Sequence, residues 1–490
     1  MSKKPKGNNT AVVVLLTVLI FVMIALTGLV IWMCVNLVNK TPQTTVRTET
    51  QIYTLPTAPR TEPTQAETQH PERVVPTASI GTMGDLLMHK PVFDTCLQSN
   101  GTYDFSSIFR YVKDIVSGLD YAIANLETTF GGDDYPYQGN PAFNCPDALI
   151  DSVVDTGYDM LLTANNHAGD TMASGITRTV EIIRGKGLTA LGSQLNADEP
   201  KYAVVDVNGI KIGMVCYTWA YSSNGGSFSL NGLTPIKDEG QMNYFLNNDP
   251  GKLYTASEQI LEQMKADGAE ATMMFIHWGV EYNIKENSLQ DTMAQKLCDL
   301  GFDVIVGGHP HVVQPVDLLT STVDPDHKTV VIYSLGNAVS NQRNGYIQAA
   351  PPYYTEDGIL FTVTFEKYSD GAVYLQSVDA LPTWVNMRTD GAKQYNILPL
   401  DEDNQDQWAE LFNLNDAMLS SAKKSMERTD SIVGAGMEKC RTYLEQQKAD
   451  REAYYQDLAS HPETYVPSTV PEETAGETIP ETTAVTAPAA

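Results

Sequence analysis

Gly308-His309-Pro310-His311 places two of the chain's eight histidines two residues apart. They follow the apolar run 302–306, which reads as a short buried strand. In an extended backbone, residues i and i+2 point the same way, roughly 6.5–7 Å apart. Pro310 disfavours helical geometry at His309, so an extended conformation is expected there. Two imidazoles on one face of a rigid strand end can serve one metal ion, or two ions about 3.5–4 Å apart. The plain alternative is a pair of polar loop residues on a glycine-rich turn.

Residues of ligand type recur at the ends of other apolar runs. Asp85 and His89 stand at and after the end of 78–85, and Asn125 and Glu127 at the end of 121–125. Asn165, Asn166, His167 and Asp170 follow 159–163, His277 follows 271–276, and Ser334-Leu335-Gly336-Asn337 follows 330–333. A lone His after a strand is ordinarily a satisfied polar residue or a cap. In open α/β sheets, however, ligands bind at the carboxyl ends of strands, and clusters at one strand end after another imply a converging site.

Carboxylates, amide oxygens and imidazoles together suit manganese, iron or zinc, whereas an all-oxygen cage would suit calcium or magnesium. There are more donors here than one tetrahedral ion uses, so two ions are expected, with Glu127 or Asp85 as the bridging carboxylate. Such a pair supplies hydroxide near neutral pH and stabilises an anionic transition state. A His outside the ligand set can protonate the leaving group. His167 suits that role, because Asn166 beside it can coordinate through its side-chain carbonyl. Asp170 would orient His167 or join the outer shell.

The positioning elements are short apolar runs alternating with helical patterns at 175–185, 255–267 and 288–300. Such alternation predicts an α/β domain whose strands are buried on both faces. The runs 358–366 and 372–379 read as a late hairpin closing the domain, and 403–460 as a charged, helical appendage. Cys216 and Cys298 read as buried thiols. Cys96 and Cys145 could pair, although nothing in their spacing requires it.

The 490-residue chain carries a net charge of −28, which argues against nucleic acid as a partner. Its start is the exception, with Lys3, Lys4 and Lys6 in the basic tail 1–10. The uncharged apolar segment 11–38 exceeds the roughly 20 residues a bilayer span needs. It is too long for a signal-peptide core and lacks a small-residue cleavage site. The expectation is a single-pass anchor in the cell membrane, with the N-terminus cytoplasmic and the rest extracellular. The Thr/Pro-rich stretch 39–77 reads as a stalk, and 463–490 as a disordered acidic tail.

Gly84-Asp85-x-x-Met88, Asn125-Leu126-Glu127, Ala164-Asn165-Asn166-His167, His277-Trp278-Gly279-x-Glu281-Tyr282, Gly308-His309-Pro310-His311-Val312 and Ser334-Leu335-Gly336-Asn337 occur in this order. The set resembles the CapA family of capsule synthesis proteins, whose domain is similar to calcineurin-like metallophosphatases. The resemblance covers roughly 78–385 and leaves 386–462 as a helical extension. It implies a four-layer α/β/β/α sandwich and work on a capsule or cell-envelope polymer, typically poly-γ-glutamate, with membrane synthase or export subunits as partners. It further implies Asp85, Glu127, Asn166, His277, His309 and His311 as metal ligands and His167 as the acid. Glu281, Asn337 and Arg343 are the candidates for substrate contact. Two positions depart from the metallophosphatase pattern. Leu87 stands where an Asp-x-His motif has its His, with His89 two residues further on, and Glu127 stands where a bridging Asp is usual.

Three readings follow. The chain is a metal-dependent hydrolase of a γ-glutamyl amide or phosphoester bond, a non-catalytic scaffold that guides an anionic polymer, or a surface protein that kept the fold without the chemistry. A polyanion would be repelled by the acidic domain unless metal ions or a basic patch offset the charge. Arg343 is the isolated cation near the motifs.

Overall fold

Strand Thr77–Leu86 is the pivot of the domain. It pairs antiparallel with Asp357–Lys367 on one side and parallel with Tyr121–Asn125 on the other. Nearly all of its residues are buried, so both faces are covered and its small and apolar residues show no strict alternation. The computed structural model describes residues 76–460, except 233, 234, 238, 248, 369 and 390. The basic tail, the apolar segment 11–38, the stalk up to 75 and the tail 463–490 lie outside the described residues. Among the described residues, no helix is long and apolar enough to cross a membrane.

Two mixed sheets make up the domain. The eight-stranded sheet runs Gln394–Pro399, Val373–Arg388, Asp357–Lys367, Thr77–Leu86, Tyr121–Asn125, Met160–Leu162 and Thr189–Leu191, with Asn337–Val339 also against Thr77–Leu86. At the centre of the nine-stranded sheet, Ala271–His277 lies between Ile210–Ser223 and Val304–Gly308, parallel to both. Lys328–Ile332 and Val316–Thr320 extend it on one side.

The period-2 pattern of these strands builds the layers. Met273 and Phe275 face a core shared with Ile80, Ile123 and Met160 of the first sheet. Met274 and Ile276, on the other face, pack against Leu261, Met264 and Leu297 of helices Gly251–Ala266 and Ser288–Leu300. On the far side of the first sheet, Val153, Val180 and Ile183 come from helices Ala148–Thr156 and Met172–Gly185. The order is therefore helix, sheet, sheet, helix.

Two differences from the sequence expectations have physical causes, and one question the sequence left open is answered. The first sheet continues past 385 through Val373–Arg388 and Gln394–Pro399, so the region from 386 begins as strand. Helix Asp416–Ser460 is no appendage: Val433, Met437, Cys440 and Leu444 form one helical face that enters the core between the sheets. Gly436 lets this helix lie against the strand Val316–Thr320, since a Cβ there would sit 1.7 Å from the Val316 carbonyl oxygen. Finally, Cys96 and Cys145 are both buried free thiols.

Candidate metal centre

Strand register gathers the ligand-type residues at one end of both sheets. In the first sheet Asp85 is paired with Asn125 and with Asn337, and Asn125 with Leu162. Glu127, Asn166 and His167 follow these strand ends directly. In the second sheet His277 is paired with Gly308, so His309 and His311 begin where His277 ends. Gly84 and Gly336 allow the first sheet's ends to close up, because a Cβ on Gly84 would lie 2.1 Å from the Gly336 carbonyl oxygen.

The backbone of the two central histidines is not extended. His309 has φ 98° and His311 has φ 57°, in the left-handed region that non-glycine residues seldom occupy. Pro310 therefore does not hold an extended strand end; the chain turns sharply after Gly308. The turn still brings the two imidazoles together, with ring centroids 6.0 Å apart, and His277 lies 4.8 Å from His309.

Asp85, Glu127, Asn166, His277, His309 and His311 are all buried. Their donor atoms fall into overlapping groups: Asp85, Glu127 and His311 form one, and Glu127, His277 and His309 another. In each group the donors lie within 4.8 Å of one another. Glu127 belongs to both. Its Oε1 is 3.4 Å from His277 Nε2 and 3.7 Å from His311 Nε2. His311 Nδ1 is 3.1 Å from Asp85 Oδ2, and Asn166 Oδ1 is 2.7 Å from His277 Nε2. Two donors about 2.1 Å from one ion and 90–109° apart would be separated by about 3.0–3.4 Å. Buried Glu127 Oε1 and His309 Nδ1 have no hydrogen-bond partner. Orphaned acceptors in a dry interior are costly unless a cation satisfies them, so the residues fit a divalent metal site.

Electrostatics agree with the geometry. Burial holds the His277 imidazole down at about 3 and pushes His309 well below its ordinary range, so both rings are neutral and free to coordinate. Glu127 is raised well above the usual carboxylate range, first by burial and then by the Asp85 charge. Burial also opposes ionisation of Asp85, but His311, His277 and the Asn125 hydrogen bond together outweigh it and leave the carboxyl below its ordinary value.

Asparagines that sequence reasoning did not choose as site residues hold this arrangement. Asn125 Nδ2 donates to Asp85 Oδ1 at 2.7 Å and to Glu127 Oε2 at 3.4 Å. Asn165 Nδ2 donates to Asn125 Oδ1 at 3.1 Å, and its own Oδ1 accepts from the His167 N–H. Their place at the ends of apolar runs was the available signal. Asn231 left no signal, because it comes from a loop distant in sequence. Its Oδ1 accepts from Asn166 Nδ2 at 2.8 Å, and its Nδ2 is 3.3 Å from His167 Nε2.

His167 sits beside the donor groups. Its Nδ1 is 2.8 Å from Asp170 Oδ2, which also accepts from the Phe143 N–H. The Phe143 ring stands edge-on to the imidazole at 4.5 Å. The carboxylate fixes Nδ1, and the other ring nitrogen faces the Asn231 amide.

The residues expected to touch substrate are placed differently from one another. Glu281 is exposed, and its carboxylate groups with donors of His309 and His311. Asn337 is buried, and its Nδ2 donates to the carbonyls of His311 and Thr355 and to Gln342 Oε1. Arg343 is turned inward: it is 2.8 Å from Glu356 Oε2 and donates to the Val385 carbonyl. It is a structural cation and not an open one. Leu87 is buried and His89 half-buried. Among the described residues His89 joins none of the donor groups, and its Nδ1 accepts from the Asn341 N–H at 3.3 Å.

The family model for "Bacterial capsule synthesis protein PGA_cap" matches residues 79–342, which include every one of the ligand-type residues above. The chain belongs to this family. The resemblance to CapA is borne out by this match and by two relatives that carry the name CapA. The capsule biosynthesis protein CapA of Bacillus anthracis is 27% identical over 271 residues, 53% of this chain and 59% of that protein. The PGA biosynthesis protein CapA of Bacillus subtilis (strain 168) is 26% identical over 340 residues, 67% of this chain and 79% of that protein. The match thus spans less than two thirds of the Bacillus anthracis relative. Among solved structures, the Haemophilus influenzae NAD nucleotidase NadN aligns with a TM-score of 0.38 and 11% identity over 78% of this chain and 61% of that one. Thermus thermophilus sulfate thiohydrolase SoxB, in complex with glycerol, aligns with a TM-score of 0.32 and 14% identity over 72% and 60%.

Proposed function

We propose that this PGA_cap protein is a metal-dependent hydrolase of metallophosphatase type that acts on poly-γ-glutamate, or a similar anionic envelope polymer, during capsule synthesis or export. The observation that carries the reading is Glu127, a buried carboxylate shared by two donor groups with one oxygen left unpartnered. Asp85, Glu127 and His311 would hold one ion, and Glu127, Asn166, His277 and His309 the other, as manganese, iron or zinc. Bound ions would supply a nucleophile near neutral pH and offset charge building on a carbonyl or phosphoryl group.

The chain's own groups do the rest. His167 Nε2 is the proton donor to the leaving nitrogen of a γ-glutamyl amide, and Asp170 holds its Nδ1. Asn165 and Asn125 keep Asp85 and Glu127 aimed at one another's neighbourhood through the hydrogen bonds given above. The single-pass anchor at 11–38, with the domain outside the cell, belongs to the same proposal, as do membrane synthase or export subunits as partners.

The second reading is a scaffold without turnover. The net charge of −28 and the inward use of Arg343 weigh on both readings alike, since they leave an anionic polymer little to grip apart from the ions. The full chain incubated with Mn²⁺ or Zn²⁺ and poly-γ-glutamate distinguishes the two. Shortening of the polymer that disappears in Glu127→Gln supports the hydrolase. Metal uptake without shortening leaves the scaffold, and cleavage of p-nitrophenyl phosphate alone makes the chain a phosphoesterase.

A further inference from the structure

Glu281 differs from every other residue of the donor groups in being exposed. It lies on the turn that leaves strand Ala271–His277 and faces the turn that leaves Val304–Gly308. Two backbone hydrogen bonds clamp these turns together: the Trp278 N–H donates to the Gly308 carbonyl at 3.1 Å, and the Tyr282 N–H to the Pro310 carbonyl at 2.8 Å. The clamped turn is tight. Gly279 has φ 88° and Tyr282 has φ 67°, and a Cβ on Gly279 would sit 2.8 Å from Gln290 Oε1. Tyr282 packs its ring 6.3 Å from that of His311. The position of Glu281 is thus set by its own turn, and its carboxylate oxygen lies within 4.8 Å of donor atoms of both His309 and His311.

The two ions are unequally served by the buried residues. Glu127, His277 and His309 have Asn166 Oδ1 as a fourth donor, 2.7 Å from His277 Nε2. Asp85, Glu127 and His311 are only three, and Glu281 reaches this group through His311 and the other through His309. Zinc and the other first-row divalent ions take at least four ligands, so the ion with three buried donors keeps an open position that Glu281 or water can fill.

We propose that Glu281 is the outward-facing protein ligand of the ion held by Asp85, Glu127 and His311. Because it stands at the solvent side of an otherwise buried set, it is the ligand that an anionic group of the substrate can displace. Its own negative charge then tightens that ion and, when displaced, leaves the position to the substrate's carboxylate or phosphate oxygen. This inference rests on the two-ion reading above, and the test separates the two.

The full chain, stripped with chelator, is titrated with Mn²⁺ by calorimetry and by electron paramagnetic resonance of the bound ion. Two ions are expected. Glu281→Gln is expected to bind one with wild-type affinity and the other at least 10-fold more weakly, with the melting temperature of the metal-free protein unchanged because the residue is exposed. His277→Ala, as a control, loses the other ion. Wild-type affinity for both ions in Glu281→Gln overturns the inference and leaves the metal centre standing, the more so if His89→Gln weakens one of them. Uptake of fewer than two ions by the wild-type chain overturns this inference together with the two-ion reading.

Discussion

Asp85 Oδ2 and His311 Nδ1 are 3.1 Å apart, although the residues are 226 positions apart in the chain and belong to different sheets. Asp85 ends a strand of the first sheet, and His311 follows a strand of the second. Their contact is one place where the two layers meet in chemistry as well as in packing. Replacing Asp85 by Asn keeps the shape and a hydrogen-bonding group but removes the charge. We expect Asp85→Asn to weaken binding of one divalent ion by at least about 100-fold, since loss of supporting partners alone costs about 10–100-fold. Calorimetric titration with Mn²⁺ measures it, and an unchanged affinity would remove Asp85 from the ligand set.

His167 is held by Asp170 but stands outside the donor groups, so its removal should separate chemistry from metal binding. His167→Ala is expected to keep both ions while lowering kcat on a cleavable substrate by about 10²–10⁴-fold, the usual contribution of a positioned acid. Asp170→Asn should lose part of the same rate, because the ring's Nδ1 then loses its carboxylate partner. If either variant sheds its metal, the residue belongs to the coordination and not to proton transfer.

Much of this centre was legible in the sequence because strand ends are legible. An apolar run followed at once by Asp, Asn or His announces both the strand and the edge it reaches, and register does the rest: His277 meets Gly308, and Asp85 meets Asn125. What could not be read depends on turns and on long-range packing. The positive φ of His309 and His311 arises from a turn clamped by the neighbouring loop, and the local rule for a residue before proline points the other way. Arg343 looked like an available cation because its partner Glu356 carries no mark in the sequence. The helix Asp416–Ser460 looked solvated because its apolar face is narrow, yet that face completes the core between the sheets.

The inward pair of Arg343 and Glu356 makes a clear stability prediction. Their side chains are only 11% and 6% exposed, and Trp384 Nε1 also donates to the same carboxylate. Arg343→Ala leaves that carboxylate buried without its cation, at a cost of about 3–5 kcal/mol. Chemical denaturation should show the loss, with Mn²⁺ stoichiometry unchanged in the folded fraction. A variant of wild-type stability with weakened polymer binding would instead restore Arg343 as a substrate contact.

Acid should unfold the metal-free protein. Burial holds His89 and His277 at about 3 and lowers His309 as well. In the unfolded chain each titrates near about 6.5, so below that pH the unfolded state takes up protons that the fold refuses. Stability is therefore full above about pH 6.5 and falls toward pH 3, by about 1.4 kcal/mol per pH unit for each such proton. Glu127 acts with the opposite sign: its raised folded value adds stability that is present in acid and lost as pH rises, which offsets part of the histidine effect. Melting temperatures of chelator-treated protein between pH 8 and pH 4 should fall on the acid side. His89→Gln, which retains an acceptor for the Asn341 N–H, should shallow the fall by about one proton. A flat profile would mean that these rings are solvated in the fold.

Gly436 tests whether the long C-terminal helix belongs to the domain. It is the point of closest approach to the strand Val316–Thr320, with the Val316 carbonyl oxygen 1.7 Å from where a Cβ would be. In an exposed helix, Gly→Ala gains helical propensity and stabilises by up to about 1 kcal/mol. Here the added carbon meets backbone, which cannot rotate away, so helix and strand must separate and the contacts of Val433 and Met437 loosen. Gly436→Ala is expected to destabilise by about 1–3 kcal/mol, the cost of overpacking a closed core, with the opposite sign from its propensity effect. Gly434, two residues earlier and with nothing within 4 Å of its added Cβ, supplies the control: Gly434→Ala should be neutral or stabilising. Denaturation midpoints of the two variants decide the matter, and equal stabilisation by both would mean that the helix packs only loosely on the sheets.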